Sequence, residues 1–159
     1  MTNKAYDIIV VGAGPSGIAA AVSSASNGAN VLIIDSNINL GGQVYKPPPN
    51  SFKEIKKNTS KEIKIQRSFN KIIEEKDIDV ALEHTVWQVN EGFKIYAFNN
   101  NNINVVWECK ILIIATGTYE RIIPFPGWTL PGIIGLAAST TLLKSHRVLP
   151  GEETVVAGC

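Results

Sequence analysis

The sequence predicts an α/β fold built on a parallel β-sheet, with a crossover helix between its first two strands and an antiparallel meander later in the chain. The first observation is a short apolar, β-branched run at residues 6–11, typical of a strand buried on both faces of a parallel sheet. Glycines follow, and an Ala- and Ser-rich stretch at 18–26 predicts a helix ended by Asn27 and Gly28. A second apolar run at 30–35 completes a strand–helix–strand unit of the usual size, about 30 residues.

The middle of the chain leaves this pattern and then returns to it. Residues 41–60 predict a loop, which includes Pro47, Pro48 and Pro49. Between 61 and 76, apolar residues recur at helical spacing among Lys, Arg and Glu, so we expect an amphipathic helix with a solvated basic face. Residues 79–82 are interpreted as the third strand of the parallel sheet.

The antiparallel meander is predicted from three short strands with short polar connections. These strands lie at residues 85–89, 93–98 and 103–109, and Asn- and Gly-rich segments join them as hairpins. The continuous apolar run at 110–115 then predicts a separate, buried parallel strand.

The last part of the sequence predicts a new unit. A Pro- and Gly-rich connection at 124–132 precedes a predicted helix at 136–145, and residues 153–158 predict a strand that runs into Gly158. We interpret residues 1–150 as one domain and 151–159 as the start of a truncated second unit of the same kind. The alternative is a natural short tail that adds one edge strand.

Composition excludes several classes of function. Lys and Arg number 15 against 14 for Asp and Glu, so no strong overall charge attracts the chain to nucleic acid or to an anionic membrane. No window approaches the ~20 apolar residues of a membrane span. The two cysteines, Cys109 and Cys159, have neither metal-site nor CxxC spacing. We therefore expect a soluble, cytoplasmic protein without a metal site.

The glycine turn after the first strand carries the chemistry. Residues 12–17 read Gly-Ala-Gly-Pro-Ser-Gly, which is GxGxxG between a strand and a helix. Gly12 permits the tight turn, Gly14 lets the backbone approach a pyrophosphate, and Gly17 allows the helix to pack closely on the strand. The helix N-terminus then offers free N–H groups to the phosphates. The alternative is a glycine-rich turn with no ligand.

An acidic residue ends the second strand at the spacing of a ribose ligand. Asp35 follows the glycines by about 20 residues, where a carboxylate accepts hydrogen bonds from ribose hydroxyls. A carboxylate also repels a 2′-phosphate, which disfavours NADP at this site. In isolation, Asp35 could equally be a turn residue at the end of a strand.

Two further small-residue segments suggest a cofactor longer than a mononucleotide. Gly41 and Gly42 would let the backbone pass close to a long ligand, and Gln43 could hydrogen-bond the polar edge of a flavin ring. Ala115, Thr116 and Gly117 close the strand after the meander and would also allow close approach of a cofactor. An ordinary loop and a simple strand-end turn are the alternatives.

The order of these features resembles the flavoproteins with two dinucleotide-binding domains, such as glutathione and thioredoxin reductases. In that fold the N-terminal segment binds FAD and an NAD(P)H domain begins at a second glycine motif, which residues 155–158 (Val-Val-Ala-Gly) resemble. The resemblance therefore implies that residues 1–150 form a Rossmann-like FAD-binding domain. It also implies an NAD(P) site in a part of the protein that would follow residue 159.

Within that superfamily the sequence is most similar to one group. The segments 41–45 (GGQVY), 115–121 (ATGTYER), 124–132 (PFPGWTLPG) and 149–151 (LPG) resemble the large, alpha-type subunits of hydrogen cyanide synthase, opine oxidases and hydroxyproline dehydrogenases. Residues 133–141 depart from that pattern, which leaves the particular substrate open. The resemblance implies that the protein has a partner, a smaller flavoprotein of the beta-subunit type.

Some chemistries are unsupported by the sequence. Positions 41–50 contain no cysteine, so the redox CxxxxC of a glutathione-reductase-type enzyme is missing, and no cysteine lies between 110 and 158. His84 and His146 have no companions at triad or metal spacing, and we expect both to be structural or surface residues. Cys109 is expected to be a buried thiol.

The resemblance implies an FAD-dependent oxidoreductase that takes part in oxidising the C–N bond of an amino acid or amine. The alternatives are an NAD(P)H-dependent flavin reductase or NADH oxidase, and a cofactor-binding module without chemistry of its own. No catalytic residue is assigned. The predicted cofactor-binding residues are Gly12, Gly14, Pro15, Ser16, Gly17, Asp35, Ser36, Gly42, Gln43, Val86, Ala115, Thr116 and Gly117.

Overall fold

The computed structural model describes residues 4–45, 61–146 and 148–157. These residues divide into two compact units. The first contains residues 4–45 and 61–117, and the second contains residues 118–146 and 148–157. The predicted loop at 41–60 falls within the described residues only up to 45, where the chain forms a turn.

The first unit begins with the predicted strand–helix–strand motif. Strand β1 is Lys4–Val11, helix α1 is Pro15–Ser26 and strand β2 is Val31–Ile34. β1 and β2 are parallel, with Ile8 opposite Val31. The helix begins three residues earlier than predicted, because proline has the φ angle of a first helical residue and needs no hydrogen bond for its nitrogen.

The helix and the third parallel strand that follow are also confirmed. Helix α2 is Lys61–Glu75 and strand β3 is Asp79–Ala81, which is parallel to β2. Ile73 is buried on the side of α2 that faces the core, while Lys71 and Glu75 form an exposed pair at 3.6 Å. The amphipathic pattern of the sequence therefore matches the packing of this helix.

The meander consists of β4 (His84–Asn90), β5 (Lys94–Asn99) and β6 (Asn104–Ile114). Both neighbouring pairs are antiparallel, as predicted. The β4–β5 turn includes Gly92 at a φ of 74° and Phe93 at 50°. Such positive φ angles let the chain reverse within a few residues.

The predicted division into two strands at 103–109 and 110–115 was wrong. β6 is one continuous strand that pairs antiparallel with β5 along its first half and parallel with β1 along most of its length. Lys110 does not interrupt it, because the side chain lies at the surface and binds Asp7 at 2.7 Å. The second half is also less buried than predicted, since Ile111 is 53% exposed and Ile114 is 72% exposed.

The six strands form one mixed sheet in the order β3-β2-β1-β6-β5-β4. Val10 and Ile33 pack in the cluster that includes residues of α1 and α2. The adjacent residues Ile9 and Ile34 pack with Ile95 in a second cluster. Neighbouring residues of a strand point to opposite faces, so the sheet has apolar packing on both sides. The predicted α/β class is confirmed.

The second unit is described from residue 118 onward. Three successive turns, closed by backbone hydrogen bonds of 2.9–3.2 Å, fold residues 125–133. Helix α3 is Leu136–Thr141, and a π-helical turn, Leu142–His146, continues it. The helix predicted at 136–145 is thus present, but its second half has the wider winding.

The strand predicted at 153–158 was wrong over the residues that the structure describes. Residues 153–157 form no strand, and Val155 and Val156 are 94% and 82% exposed. A strand is stabilised by hydrogen bonds to a neighbouring strand and by packing of its side chains. Within the described residues, neither is provided to this segment. Gly158 lies outside them, and the interpretation of 151–159 as the start of a second unit stays a prediction.

Among the helices of the described residues, none combines the length and apolar character needed to cross a membrane. The predicted cytoplasmic location stays a prediction.

Candidate functional site

The glycine turn after β1 is packed too closely for side chains at two positions. Gly12 has a φ of 113°, and its N–H donates to the carbonyl oxygen of Ile34 at 2.8 Å. A Cβ at Gly12 would overlap the carbonyl oxygen of Ala115, and one at Gly17 would overlap the carbonyl oxygen of Gly12. Both neighbours are backbone atoms, so neither clash is relieved by rotating a side chain. The first and third glycines therefore allow α1 to approach the sheet.

The middle glycine of the turn is different, because it faces open space. A Cβ built at Gly14 would have no protein atom within 4 Å, and its φ of −73° suits any residue. Gly14 is the N-cap of α1, provides no capping side chain, and is followed by a first turn without an acidic residue. Pro15 and Ser16 are exposed. The first N–H groups of the helix thus end on an open surface, which is the arrangement that favours an anion.

The carboxylate of Asp35 connects the glycine turn to the end of β2. Its Oδ2 accepts a hydrogen bond from the N–H of Ala13 at 2.6 Å. Its Oδ1 accepts two more from Asn37, from the backbone N–H at 2.7 Å and from Nδ2 at 2.8 Å. Since Ala13 is fully buried, this carboxylate fixes the position of the turn. Asp35 itself stays partly exposed.

These elements border one cleft at the carboxyl ends of the parallel strands. Its volume is ≈ 190 Å³. β1, β2, the start of β4 and the segment after β6 contribute to its walls, and the residues that line it are Val11, Gly12, Ile34, Asp35, Ser36, Asn37, His84, Thr85, Val86 and Thr116. In open α/β sheets, ligands bind outside the carboxyl ends of the strands. The cleft therefore lies where the fold predicts a ligand.

The second glycine segment packs against the first. The N–H of Gly41 donates to the carbonyl oxygen of Ala13 at 2.8 Å. Gly42 has a φ of 58°, and a Cβ there would lie 2.9 Å from the Cα of Gly14. Gly42 is thus brought to the glycine turn, as a shared ligand surface requires. Gln43 is exposed and is not among the residues that line the cleft.

The segment after β6 contributes one residue to the cleft and one to the turn. The N–H of Ala115 donates to the carbonyl oxygen of Val11 at 2.8 Å, which extends the pairing of β1 and β6 by one residue. Thr116 lines the cleft. Gly117 has a φ of 77° and open space around the position of a Cβ, and it does not line the cleft.

The structure thus brings most of the predicted cofactor-binding residues together. Gly12, Asp35, Ser36, Val86 and Thr116 line the cleft. The glycine turn and its direct neighbours hold a second group, which consists of Gly14, Pro15, Ser16, Gly17, Gly42 and Ala115. Gln43 and Gly117 belong to neither group. Whether these residues bind a cofactor stays a prediction.

Sequence reasoning missed several residues of the cleft, above all His84. The prediction placed this histidine among structural or surface residues, and its ring does have structural contacts: Nδ1 lies 2.6 Å from the carbonyl oxygen of Leu82, and the ring meets Trp107 edge-on at 5.5 Å. It nevertheless lines the cleft beside Asp35. The available signal was its place at the start of β4, directly after the parallel strand β3. Asn37 and Thr85 were missed in the same way.

The cleft lining has few ionisable groups. Asp35 and His84 are the ionisable side chains among the described residues that line it. The resolved shifts in pKa lie elsewhere: a hydrogen bond from Lys110 lowers the pKa of Asp7, and burial raises the pKa of the Cys109 thiol. Within the described ranges, no group of three His, Cys, Asp or Glu side chains is arranged to hold a metal ion. A ligand in the cleft would meet one carboxylate and one imidazole.

Comparison with known proteins gives the family. The family model described as pyridine nucleotide-disulphide oxidoreductase matches residues 6–158. A subunit of opine oxidase from Agrobacterium tumefaciens (strain Ach5) is 31% identical over 161 residues, which cover 97% of this chain and 32% of that protein. The HcnB subunit of hydrogen cyanide synthase from Pseudomonas protegens is 31% identical over 154 residues, which cover 94% of this chain and 32% of that protein. The chain spans about a third of the length of these relatives.

A solved structure shares the fold. L-proline dehydrogenase from P. horikoshii superposes with a TM-score of 0.73 at 20% identity, over 94% of this chain and 30% of the other. The predicted Rossmann-like fold is therefore confirmed, together with its parallel sheet, crossover helix and three-stranded meander. Because the family model matches nearly the whole sequence, the chain belongs to the pyridine nucleotide-disulphide oxidoreductase family.

Proposed function

We propose that the protein is an FAD-dependent oxidoreductase, and that the cleft between the glycine turn and Asp35 holds the adenosine end of FAD. One observation carries this proposal: an open helix N-terminus and a ribose-binding type of carboxylate border the same carboxyl edge of the parallel sheet. The pyrophosphate would lie over Gly14, the one glycine of the turn whose missing side chain leaves open space.

The residues present fit a dinucleotide at this position. The N–H groups at the start of α1 supply hydrogen bonds and the positive end of the helix dipole to phosphate oxygens. The turn needs no side chain to bind the phosphates, because the backbone itself approaches them. Gly42 packs on Gly14, so the surface beyond the pyrophosphate is also formed by backbone. We propose that the flavin end extends past Gly42 and Gln43.

The size of the cleft supports binding of only one end of the cofactor. Its volume of ≈ 190 Å³ is below the roughly 300–1,000 Å³ of pockets that enclose a whole drug-sized ligand. FAD is larger than such ligands, so only its nucleoside would be enclosed here. The rest of the molecule would lie along the open glycine surface. The carboxylate of Asp35 disfavours a 2′-phosphate by repulsion, which is a reason to prefer FAD to NADP at this site.

The proposed reaction is oxidation of the C–N bond of an amino acid or a related amine. Bound flavin supplies the hydride acceptor, and the protein supplies binding and electrostatics. This substrate class rests on the similarity to the subunits of opine oxidase and hydrogen cyanide synthase. Because both relatives are named as subunits, we also propose a partner for this protein, a smaller flavoprotein of the beta-subunit type. A nicotinamide site, if the whole protein has one, would follow residue 159.

The experiment is anaerobic reduction of the flavin-loaded protein. FAD is added, excess cofactor is removed, and the flavin absorbance is followed after addition of proline, an opine, glycine or NADH in separate cuvettes. Bleaching by one of the amines supports the proposal. A protein that retains no flavin after dialysis, and whose FAD fluorescence does not change on mixing, would overturn it.

The same measurement tests the second candidate, an NAD(P)H-dependent flavin reductase or NADH oxidase. The family includes pyridine nucleotide in its name, which favours this candidate. Rapid bleaching by NADH with no bleaching by any amine would assign the protein to that class. Retention of FAD with no reduction by either would instead support a cofactor-binding module that needs further domains or subunits for chemistry.

A further inference from the structure

The cleft contains a second polar group beside Asp35 that the proposed function leaves unused. His84 lines the cleft, and its backbone N–H donates to the carbonyl oxygen of Asp35 at 3.0 Å. The N–H of Glu83 donates in the same way to the carbonyl oxygen of Asn37 at 3.1 Å. The start of β4 is thus hydrogen-bonded along the end of β2, and the two ionisable side chains of the cleft belong to adjacent, directly bonded segments.

The hydrogen bond of Nδ1 determines which nitrogen of His84 is left for a ligand. Nδ1 lies 2.6 Å from the carbonyl oxygen of Leu82. A carbonyl oxygen can only accept, so Nδ1 carries the proton. In the neutral ring Nε2 is then an acceptor. The edge-on contact with Trp107 at 5.5 Å restricts the ring further, so little rotamer freedom remains to be lost when a ligand binds.

The hydrogen-bonding capacity of Asp35 gives the reason for a second acceptor. An ionised carboxylate has about four lone-pair sites, and Asp35 already accepts from Ala13 and twice from Asn37. About one site remains for a ligand. A ribose presents two neighbouring hydroxyl groups, so one of them needs another partner. Among the described residues of the cleft, His84 is the other ionisable side chain and offers that acceptor.

We propose that Nε2 of His84 binds one ribose hydroxyl of the nucleotide while Asp35 binds the other. The inference rests on the proposed function, because it requires a ribonucleotide in the cleft. It makes His84 a specificity-determining residue for the ribose.

The test combines a variant with ligands that lack one hydroxyl. Affinities for ADP, 2′-deoxy-ADP and 3′-deoxy-ADP are measured by equilibrium dialysis for the wild-type protein and for His84→Phe, which keeps an aromatic ring against Trp107. We expect the variant to bind ADP about three- to tenfold more weakly, as for a lost hydrogen bond. One of the deoxy nucleotides should bind to the variant and to the wild type equally well. His146→Gln is the matched control, since His146 lies in the second unit and is exposed.

Two outcomes separate the failures. An equal loss for all three nucleotides, or no loss for any, overturns the assignment of His84 while leaving the proposed function intact. A wild-type protein that binds no ADP overturns both. If His84→Phe does not fold, the ¹⁵N chemical shift of Nε2 in the wild-type protein gives the answer, because it should change with ADP and not with the relevant deoxy nucleotide. An Nε2 shift that responds identically to all three ligands contradicts the proposal.

Discussion

Replacing Gly14 with alanine should abolish nucleotide binding without unfolding the protein. A Cβ at this position meets no protein atom within 4 Å, and the φ of −73° is allowed for alanine. Alanine reduces the entropy of the unfolded chain by about 0.4–1 kcal/mol but is a poorer N-cap than glycine, by a similar amount. The free energy of unfolding should therefore change by less than about 1 kcal/mol.

The effect on binding should be much larger, because the new methyl group would occupy the path of the pyrophosphate. A displaced phosphate loses at least one charge-assisted hydrogen bond, which contributes about 1.5–3 kcal/mol. At about 1.4 kcal/mol per factor of ten, FAD affinity should fall by about 10- to 100-fold. Titration of FAD fluorescence measures the affinity, and urea unfolding followed by circular dichroism measures the stability.

Two other glycines provide matched controls for the same substitution. Gly17→Ala places its Cβ inside the carbonyl oxygen of Gly12, so it should cost about 3 kcal/mol or more, at the upper end for overpacking. This would lower the melting temperature by about 6–12 °C. Gly28→Ala lies away from the cleft, at a φ of 85° with open space around it; backbone strain should cost about 1 kcal/mol with no change in affinity. If Gly14→Ala binds FAD as tightly as the wild type, the placement of the pyrophosphate is wrong.

Three further predictions concern single contacts. Asp35→Ala removes the acceptor of a buried N–H, that of Ala13, and should lower the free energy of unfolding by about 1–3 kcal/mol in urea denaturation; an unchanged midpoint would refute this. Both carboxylate oxygens of Glu120 accept from the first N–H groups of α3, at 2.7 and 3.1 Å, so Glu120→Ala should cost about 0.5–2 kcal/mol locally and speed amide exchange in that helix; unaltered exchange would contradict it. The hydrogen bond from Lys110 is the largest cause of the lowered pKa of Asp7, so Lys110→Met should move that pKa back upward in an NMR titration. The stabilising contribution of the pair is present above the unfolded-state pKa of the carboxyl and is lost as pH falls through the lowered folded-state value.

The elements that follow from local pattern were predicted from the sequence. β1, α1 and β2 have strong periodicity and glycine signals, and the meander has short polar connections, so each is determined by neighbouring residues. β6 was divided wrongly because a charged residue, Lys110, interrupts its apolar run. Only the fold shows that this side chain pairs with Asp7 at the surface, while the backbone continues to pair with β1.

The candidate site was predicted in part for the same reason. The glycine turn and Asp35 follow from spacing along the chain, and the structure places both at one cleft. His84 could not be found that way, because it comes to Asp35 through a hydrogen bond between segments 49 residues apart in number, from residue 35 to residue 84. The predicted strand at 153–158 failed because an apolar pattern indicates a strand only where a neighbouring strand is available to pair with it.

The central claim is that the glycine turn binds a pyrophosphate whose ribose lies at Asp35. The most direct test is a crystal structure of the protein with FAD bound. The account predicts phosphate oxygens within hydrogen-bonding distance of the N–H groups at residues 14–17, and ribose hydroxyls at the Asp35 carboxylate. FAD bound elsewhere on the chain, or a ribose turned away from that carboxylate, would contradict it.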